Sequence, residues 1–111
     1  MGDSMREPTF LILSALADRP RHGYAIIAET AALSDGAVKL QAGTLYAALE
    51  RLTSEGMVAV AHEEVVEGRH RRYFSLTDRG REALRAEAEQ RSRVAERALA
   101  RLSGPASAVS W

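Results

Sequence analysis

The sequence predicts a mainly α fold with a small β-hairpin, a winged helix-turn-helix followed by one long C-terminal helix. Three observations carry this. Three short segments with apolar residues at helical spacing come first, two strand-like runs around a turn glycine follow, and a long stretch rich in Ala, Glu and Arg comes last. At 111 residues the chain has room for one domain of ordinary size. The expected organisation is a flexible leader over residues 1–6, a winged helix-turn-helix unit over 7–76, a dimerisation helix over 77–102 and a flexible tail over 103–111.

Pro8 after Glu7 suits a first helical turn, where a missing N–H leaves no bond unmade. Residues 9–17 are apolar nearly all round, which marks a helix buried on more than one side, at the domain centre or at a subunit interface. Arg19, Pro20 and Arg21 end it. A second helix is expected over 23–32, with Tyr24, Ile27, Ala28 and Ala31 on one face; Ile26 falls off that stripe. Residues 33–36 read as a turn and 38–40 as a very short strand. A third helix over 41–55 has Leu45, Leu49 and Leu52 at i, i+4 and i+7, so Gly43, Ala47, Glu50, Arg51 and Ser54 look outward.

Gly56 stands where a helix C-terminal glycine takes the left-handed conformation. Strands are expected over 57–64 and 72–76, with 65–71 and its Gly68 forming a basic tip. Thr77 is placed to cap the last helix with its hydroxyl. On that helix Leu84, Ala88, Ala95, Leu99 and Leu102 form a thin seam, interrupted by Arg91, that suits helix pairing better than burial in a globular core.

Composition removes several classes of function. There is no cysteine, which excludes disulfides and thiolate metal sites and suits a reducing cytoplasm, the expected location. No apolar run reaches the roughly 20 residues that span a bilayer. His22, His62 and His70 show no i, i+4 pairing, so neither a metal nor another cofactor is expected. No nucleophile has a partner base and no Gly-rich loop could cradle a phosphate, which argues against an enzyme. The 15 Lys and Arg balance the 15 Asp and Glu, but unevenly along the chain. From Gly68 to Leu76 the charged residues are Arg69, Arg71 and Arg72, while Glu87, Glu89 and Glu96 fall on the last helix. What nucleic-acid binding needs is such local positive potential rather than net charge.

Three motifs in order then sharpen the reading. His22-Gly23-Tyr24-Ala25-Ile26-Ile27, Gly43-Thr44-Leu45-Tyr46-Ala47-Ala48-Leu49 with Arg51-Leu52 and Glu55-Gly56, and Gly68-Arg69-His70-Arg71-Arg72-Tyr73-Phe74-Ser75-Leu76-Thr77 with Gly80-Arg81 closely resemble the PadR family of regulators. A single helix after the wing resembles its small subfamily. The resemblance implies that the third helix enters the major groove of double-stranded DNA, that the wing contacts the backbone, and that the first and last helices build a homodimer. It further implies a sequence-specific repressor on a pseudo-palindromic operator. Departures from the family pattern are Gln41 and Ala42 ahead of the Gly-Thr-Leu-Tyr run, Ala47 in place of a frequent proline, and His70 in place of a wing proline.

The candidate DNA contacts are Lys39, Gly43, Thr44, Tyr46, Ala47, Arg51, Arg69, His70 and Arg71. Gly43 would let a helix N-terminus approach a phosphate closely. Thr44 either caps the helix or touches DNA. Tyr46 either packs its ring with the hydroxyl in water or places that hydroxyl on a phosphate. Arg69 and Arg71 are either a solvated charge run or, at the wing tip, phosphate contacts, whereas Arg72 is alternatively placed to pair with Glu63 or Glu64 across the strands. The candidate dimer contacts are Phe10, Leu13, Leu84, Ala88, Ala95, Leu99 and Leu102. Small PadR-like proteins take flat hydrophobic effectors between subunits, for which Phe10 and Trp111 are the candidates here. The alternative is a winged-helix protein-interaction module without operator binding, in keeping with the neutral charge and the acidic last helix.

Overall fold

The computed structural model describes residues 5–104. Helix α1 (Glu7–Ala15) carries Pro8 in its first turn and closes where the Leu16 N–H returns to the Leu13 carbonyl. It stops two residues short of the expected end. Ile12 and Leu13 are completely buried, as an apolar-all-round segment requires. Helix α2 (Gly23–Leu33) starts at His22, whose ring nitrogen Nδ1 accepts a long bond from the Ala25 N–H at 3.4 Å.

The buried face of α2 is Gly23, Ile26 and Thr30, so the expected stripe is corrected: Tyr24 is 75% exposed, Ala28 is exposed, and Ile27 and Ala31 are half-buried. Apolar residues occur on every side of this helix, and the neighbours α1 and α3 (Ala42–Ser54) decide which side is covered. Ile26, unexplained by local pattern, is the residue at the centre of that contact. The buried Thr30 hydroxyl donates to the Ile27 carbonyl at 2.9 Å and leaves no unmet polar group.

No strand forms over 38–40. A two-way backbone bridge between Arg21 and Phe74, at 3.0 and 2.9 Å, instead ties the α1–α2 connection to the hairpin. In α3 the predicted stripe holds, with Leu45, Leu49 and Leu52 all within 1% of full burial. Gln41 gives no side-chain cap. The other end closes as expected: Gly56 has φ +79°, the Gly56 N–H bonds the Thr53 carbonyl at 3.0 Å, and the Met57 N–H bonds the Leu52 carbonyl at 2.9 Å.

Strands β1 (Val58–Val66) and β2 (Arg69–Leu76) are antiparallel, in register from Val58 opposite Leu76 to Val66 opposite Arg69, with a bulge between Val60 and His62. The hairpin is longer and its turn tighter than the sequence reading has it. Glu67 and Gly68 alone make the turn, with φ of 51° and 77°, the both-positive pair that matches strand twist. Arg69 and Arg71 therefore lie on β2 and not in a loop.

Helix α4 (Asp78–Leu102) begins at Thr77, whose Oγ1 accepts from the Gly80 N–H at 3.0 Å and donates to the Gly56 carbonyl at 2.6 Å. Its first turns pack on α1 and β2, and Leu84 is its last side chain in the core. Residues 92–102 are exposed on every side, which stretches the molecule to 66 Å in its longest dimension. Among the described residues, no helix is long and apolar enough to cross a membrane.

Two glycines separate packing from conformation. A methyl group at Gly80 would lie 2.0 Å from the Met57 carbonyl oxygen, whereas one at Gly43 would meet nothing within 4 Å. Backbone cannot yield as a flexible side chain does, so Gly80→Ala is expected to destabilise by roughly 3 kcal/mol. Gly43→Ala, in the first turn of α3 with open space around it, should be neutral to stabilising by at most about 0.5 kcal/mol. Urea melts of the two variants check this; a Gly80→Ala protein as stable as the parent would refute the close crossing.

Candidate nucleic-acid interface

At 100° per residue, the side of α3 opposite its leucines carries Gly43, Ala47, Glu50 and Ser54, all exposed. Tyr46 flanks this face toward the hairpin and Arg51 flanks it toward α1. The two flanks differ in what is left free. Arg51 donates to Thr9 Oγ1 at 2.8 Å and to Glu55 at 3.3 Å, so this candidate DNA contact is engaged by its own protomer on the side away from the wing. Tyr46 is 52% exposed and lies across Gly23, where an added methyl group would come 2.3 Å from the phenol oxygen. The phenol end of the ring therefore lies against the start of α2, and the residue as a whole is half exposed.

That contact brings three elements together. A cleft of about 180 Å³ is lined by the capping His22 with Gly23 and Tyr24 at the start of α2, Tyr46 from α3, and Arg69, His70, Arg71 and Arg72 from β2. Lys39 is exposed in the link before α3 and does not line it. Thr44 is exposed at the third position of the helix, with Gln41 at the cap, so its capping alternative falls away.

Wing carboxylates are engaged by neighbours other than those expected. Glu63 meets the His70 ring, and Glu64 accepts from the Tyr73 hydroxyl at 2.8 Å. Although Arg72 is in register with Glu63, it makes no ion pair with either glutamate among the described residues, and its side chain lines the groove beside α3. The hydrogen bond to Glu64 holds the Tyr73 phenol proton and raises its pKa.

Behind the cleft, Tyr73 stacks on His62 at 4.3 Å between centroids and meets His22 edge-on at 5.2 Å. The sequence reading missed this cluster. Its signal is the in-register pair His62 and Tyr73, which becomes visible only once the turn is placed at Glu67 and Gly68. Burial, and secondarily the nearby Arg71 charge, lower the His22 pKa below its ordinary 6.5, against a smaller opposite effect of Glu64.

The candidate dimer residues divide. Leu13 and Leu84 are buried in the protomer's own core, at 0% and 9% exposure, because α1 and the start of α4 pack on one another; neither has a surface to offer a partner. Phe10 is half-buried with the Arg91 guanidinium 4.0 Å above its ring. Arg91 also binds Glu87 at 2.9 Å, Glu7, and the Met5 carbonyl, so the interruption in the seam is a clamp onto α1. Ala88 is half-buried, whereas Ala95, Leu99 and Leu102 are exposed, joined by Val94, which the seam left out. Trp111 lies outside the described residues.

A family profile described as "Transcriptional regulator PadR-like family" matches residues 12–86, most of the chain and all of the cleft. The chain belongs to that family. Among curated relatives, this PadR-like chain is 44% identical over 87 residues to an uncharacterised 37.1 kDa protein in transposon TN4556 of Streptomyces fradiae, covering 78% of this chain and 24% of that protein. It is 40% identical over 73 residues to the transcriptional regulator Rv3488 of Mycobacterium tuberculosis, covering 66% of this chain and 64% of that one. The match thus spans less than two thirds of either relative.

Solved structures agree on the winged-helix fold. A PadR-like transcriptional regulator from Bacillus cereus superposes with a TM-score of 0.71 at 21% identity, over 87% of this chain and 92% of that one. A PadR family regulator from Eggerthella lenta gives 0.66 at 29% identity, over 87% and 82%. Bacillus subtilis PadR in complex with operator DNA gives 0.65 at 22% identity, over 73% and 46%.

The depressed His22 pKa has a sign that can be measured. A base whose pKa is lowered by folding contributes stability above its unfolded value, here about 6.5, and loses it as pH falls through the folded value. Relative to His22→Asn, which keeps a capping acceptor, the parent should therefore lose stability as pH is lowered below about 6.5 and show a constant difference above it. Parallel thermal melts across that range test the point; a difference independent of pH would contradict it.

Proposed function

We propose that this PadR-like regulator binds operator DNA as a homodimer and represses transcription by occupying the site. The observation that carries the reading is the shared cleft, where Tyr46 beside the outward face of α3 meets Arg69, Arg71 and Arg72 of the wing. With α3 in the major groove, Gly43 and Ala47 let the helix sit close to base edges and the wing arginines fall at the flanking phosphates. That a PadR of the same fold has been solved on operator DNA supports this placement.

The exposed end of α4 supports the dimer. Val94, Leu99 and Leu102 are 51%, 65% and 81% exposed on a helix segment with no packing of its own. Such a segment is marginal in water without a partner, and pairing it with a second copy buries the seam. Two-fold symmetry then sets operator half-sites roughly 34 Å apart, or a multiple of that. An effector seated between subunits near Phe10 would act on the angle that the Arg91 clamp holds.

Two measurements test the reading. Anisotropy titrations with a duplex from the gene's own upstream region, across a salt series, should show Arg69→Ala and Arg71→Ala each lowering the slope of log affinity against log salt by about 0.9, with sequence preference kept. Unchanged slopes would remove the wing from the interface. No salt-sensitive affinity of a folded dimer for any duplex would favour the protein-interaction module. In sedimentation, Leu99→Glu should shift the dimer toward monomer at micromolar concentration, and a parent protein already monomeric there would end the dimer proposal.

A further inference from the structure

The outward face of α3 presents Gly43, Ala47 and Ser54, none longer than a hydroxymethyl group, with one long side chain at each edge, Glu50 toward the wing and Arg51 toward α1. Glu50 is exposed on the wing side of that face and lines the groove between α3 and the hairpin with Tyr46, Ser54, Val60 and Arg72. Among the described residues it makes no ion pair, while Arg51, next along the helix, is held by Thr9 and Glu55. A free carboxylate on the face that meets a polyanion is repelled by phosphates wherever it finds no donor. An ionised carboxylate accepts hydrogen bonds and donates none.

The base edges of the major groove narrow the choice. Guanine presents two acceptors, and thymine an acceptor with a methyl group; both repel or ignore a carboxylate. Adenine offers its N6 amino group beside the N7 acceptor, so one carboxylate oxygen gains where the other loses. Cytosine offers its N4 amino group with no acceptor of its own in the groove, and is the base whose edge a carboxylate suits best. Arg72, across the same groove and likewise without an ion pair among the described residues, supplies the positive charge that offsets the nearby phosphates.

We propose that Glu50 is a specificity determinant that selects cytosine at one position of each operator half-site. This rests on the placement of α3 in the major groove proposed above. The small residues around Glu50 let the helix approach until its carboxylate reaches the base, and none of them competes for that edge. Removing the carboxylate should thus trade discrimination for affinity toward other sequences.

The test is selection from a duplex library randomised across the operator, with the parent, Glu50→Ala and Glu50→Gln proteins at one salt concentration. The parent should enrich cytosine at one position per half-site. Glu50→Ala should lower the preference for cytosine at that position by about tenfold and leave the other positions unchanged. Glu50→Gln should move the preference to adenine, whose N6 and N7 a side-chain amide pairs with directly. Equal gains by Glu50→Ala on every duplex would overturn the assignment, showing a carboxylate that only repels. A parent protein that retains no duplex would instead overturn the groove placement, and this inference with it.

Discussion

The chain passes one point twice, and the rest of the structure is arranged around that crossing. At the end of α3 the backbone turns left-handed through Gly56 and exposes the carbonyls of Gly56 and Met57. At the start of α4, Thr77 donates its N–H to Met57 at 3.1 Å and its hydroxyl to Gly56 at 2.6 Å, and Gly80 lies against the Met57 carbonyl with no room for a side chain. The end of the outward-facing helix, both roots of the hairpin and the start of α4 are thus held by a few backbone groups. In the proposed dimer this joint lies between the paired α4 helices and the two α3 helices, so it takes part in fixing how far apart the α3 helices stand.

What was legible in the sequence is what local rules decide. The leucine stripe of α3, the Gly56 terminator and the Thr77 cap each depend on a few neighbouring residues, and each lies where the pattern puts it. The face of α2 was not legible, because a helix apolar on every side leaves the choice to its partners. Nor was the hairpin turn: Val65, Val66 and the run from Arg69 to Arg72 show no alternation to separate strand from loop, and the bulge after Val60 shifts the phase.

Within the candidate site, the same distinction holds. Tyr46, Arg69 and Arg71 were placed at one surface by motif order, and they line one cleft. Arg51 was not separable from them by sequence, since its partner Thr9 lies 42 positions away. Leu13 and Leu84 looked available to a second subunit because periodicity shows which residues share a face, but not what already covers that face. The place of His22 between helix cap and aromatic cluster depends on the register of the hairpin, which sequence pattern does not show.

The neutral net charge now has a structural interpretation. On the wing, Glu63 and Glu64 are engaged by His70 and Tyr73, and on α4 Glu87 is held by Arg91, while Arg69, Arg71 and Arg72 form no ion pair among the described residues and line the cleft. The net charge is zero and salt screens exposed charges beyond a Debye length, about 8–10 Å at physiological salt, so a distant duplex would meet little attraction. Closer than that, the local arrangement dominates and the cleft is basic. If α3 and the wing both seat on DNA as proposed, such a protein would gain little from long-range steering or from sliding on arbitrary DNA, and more from contacts that form only when both are in place. Under the proposed function, low non-specific affinity would widen the gap between the right site and the many wrong ones, a route to selectivity open to a protein with few long side chains on the outward face of α3.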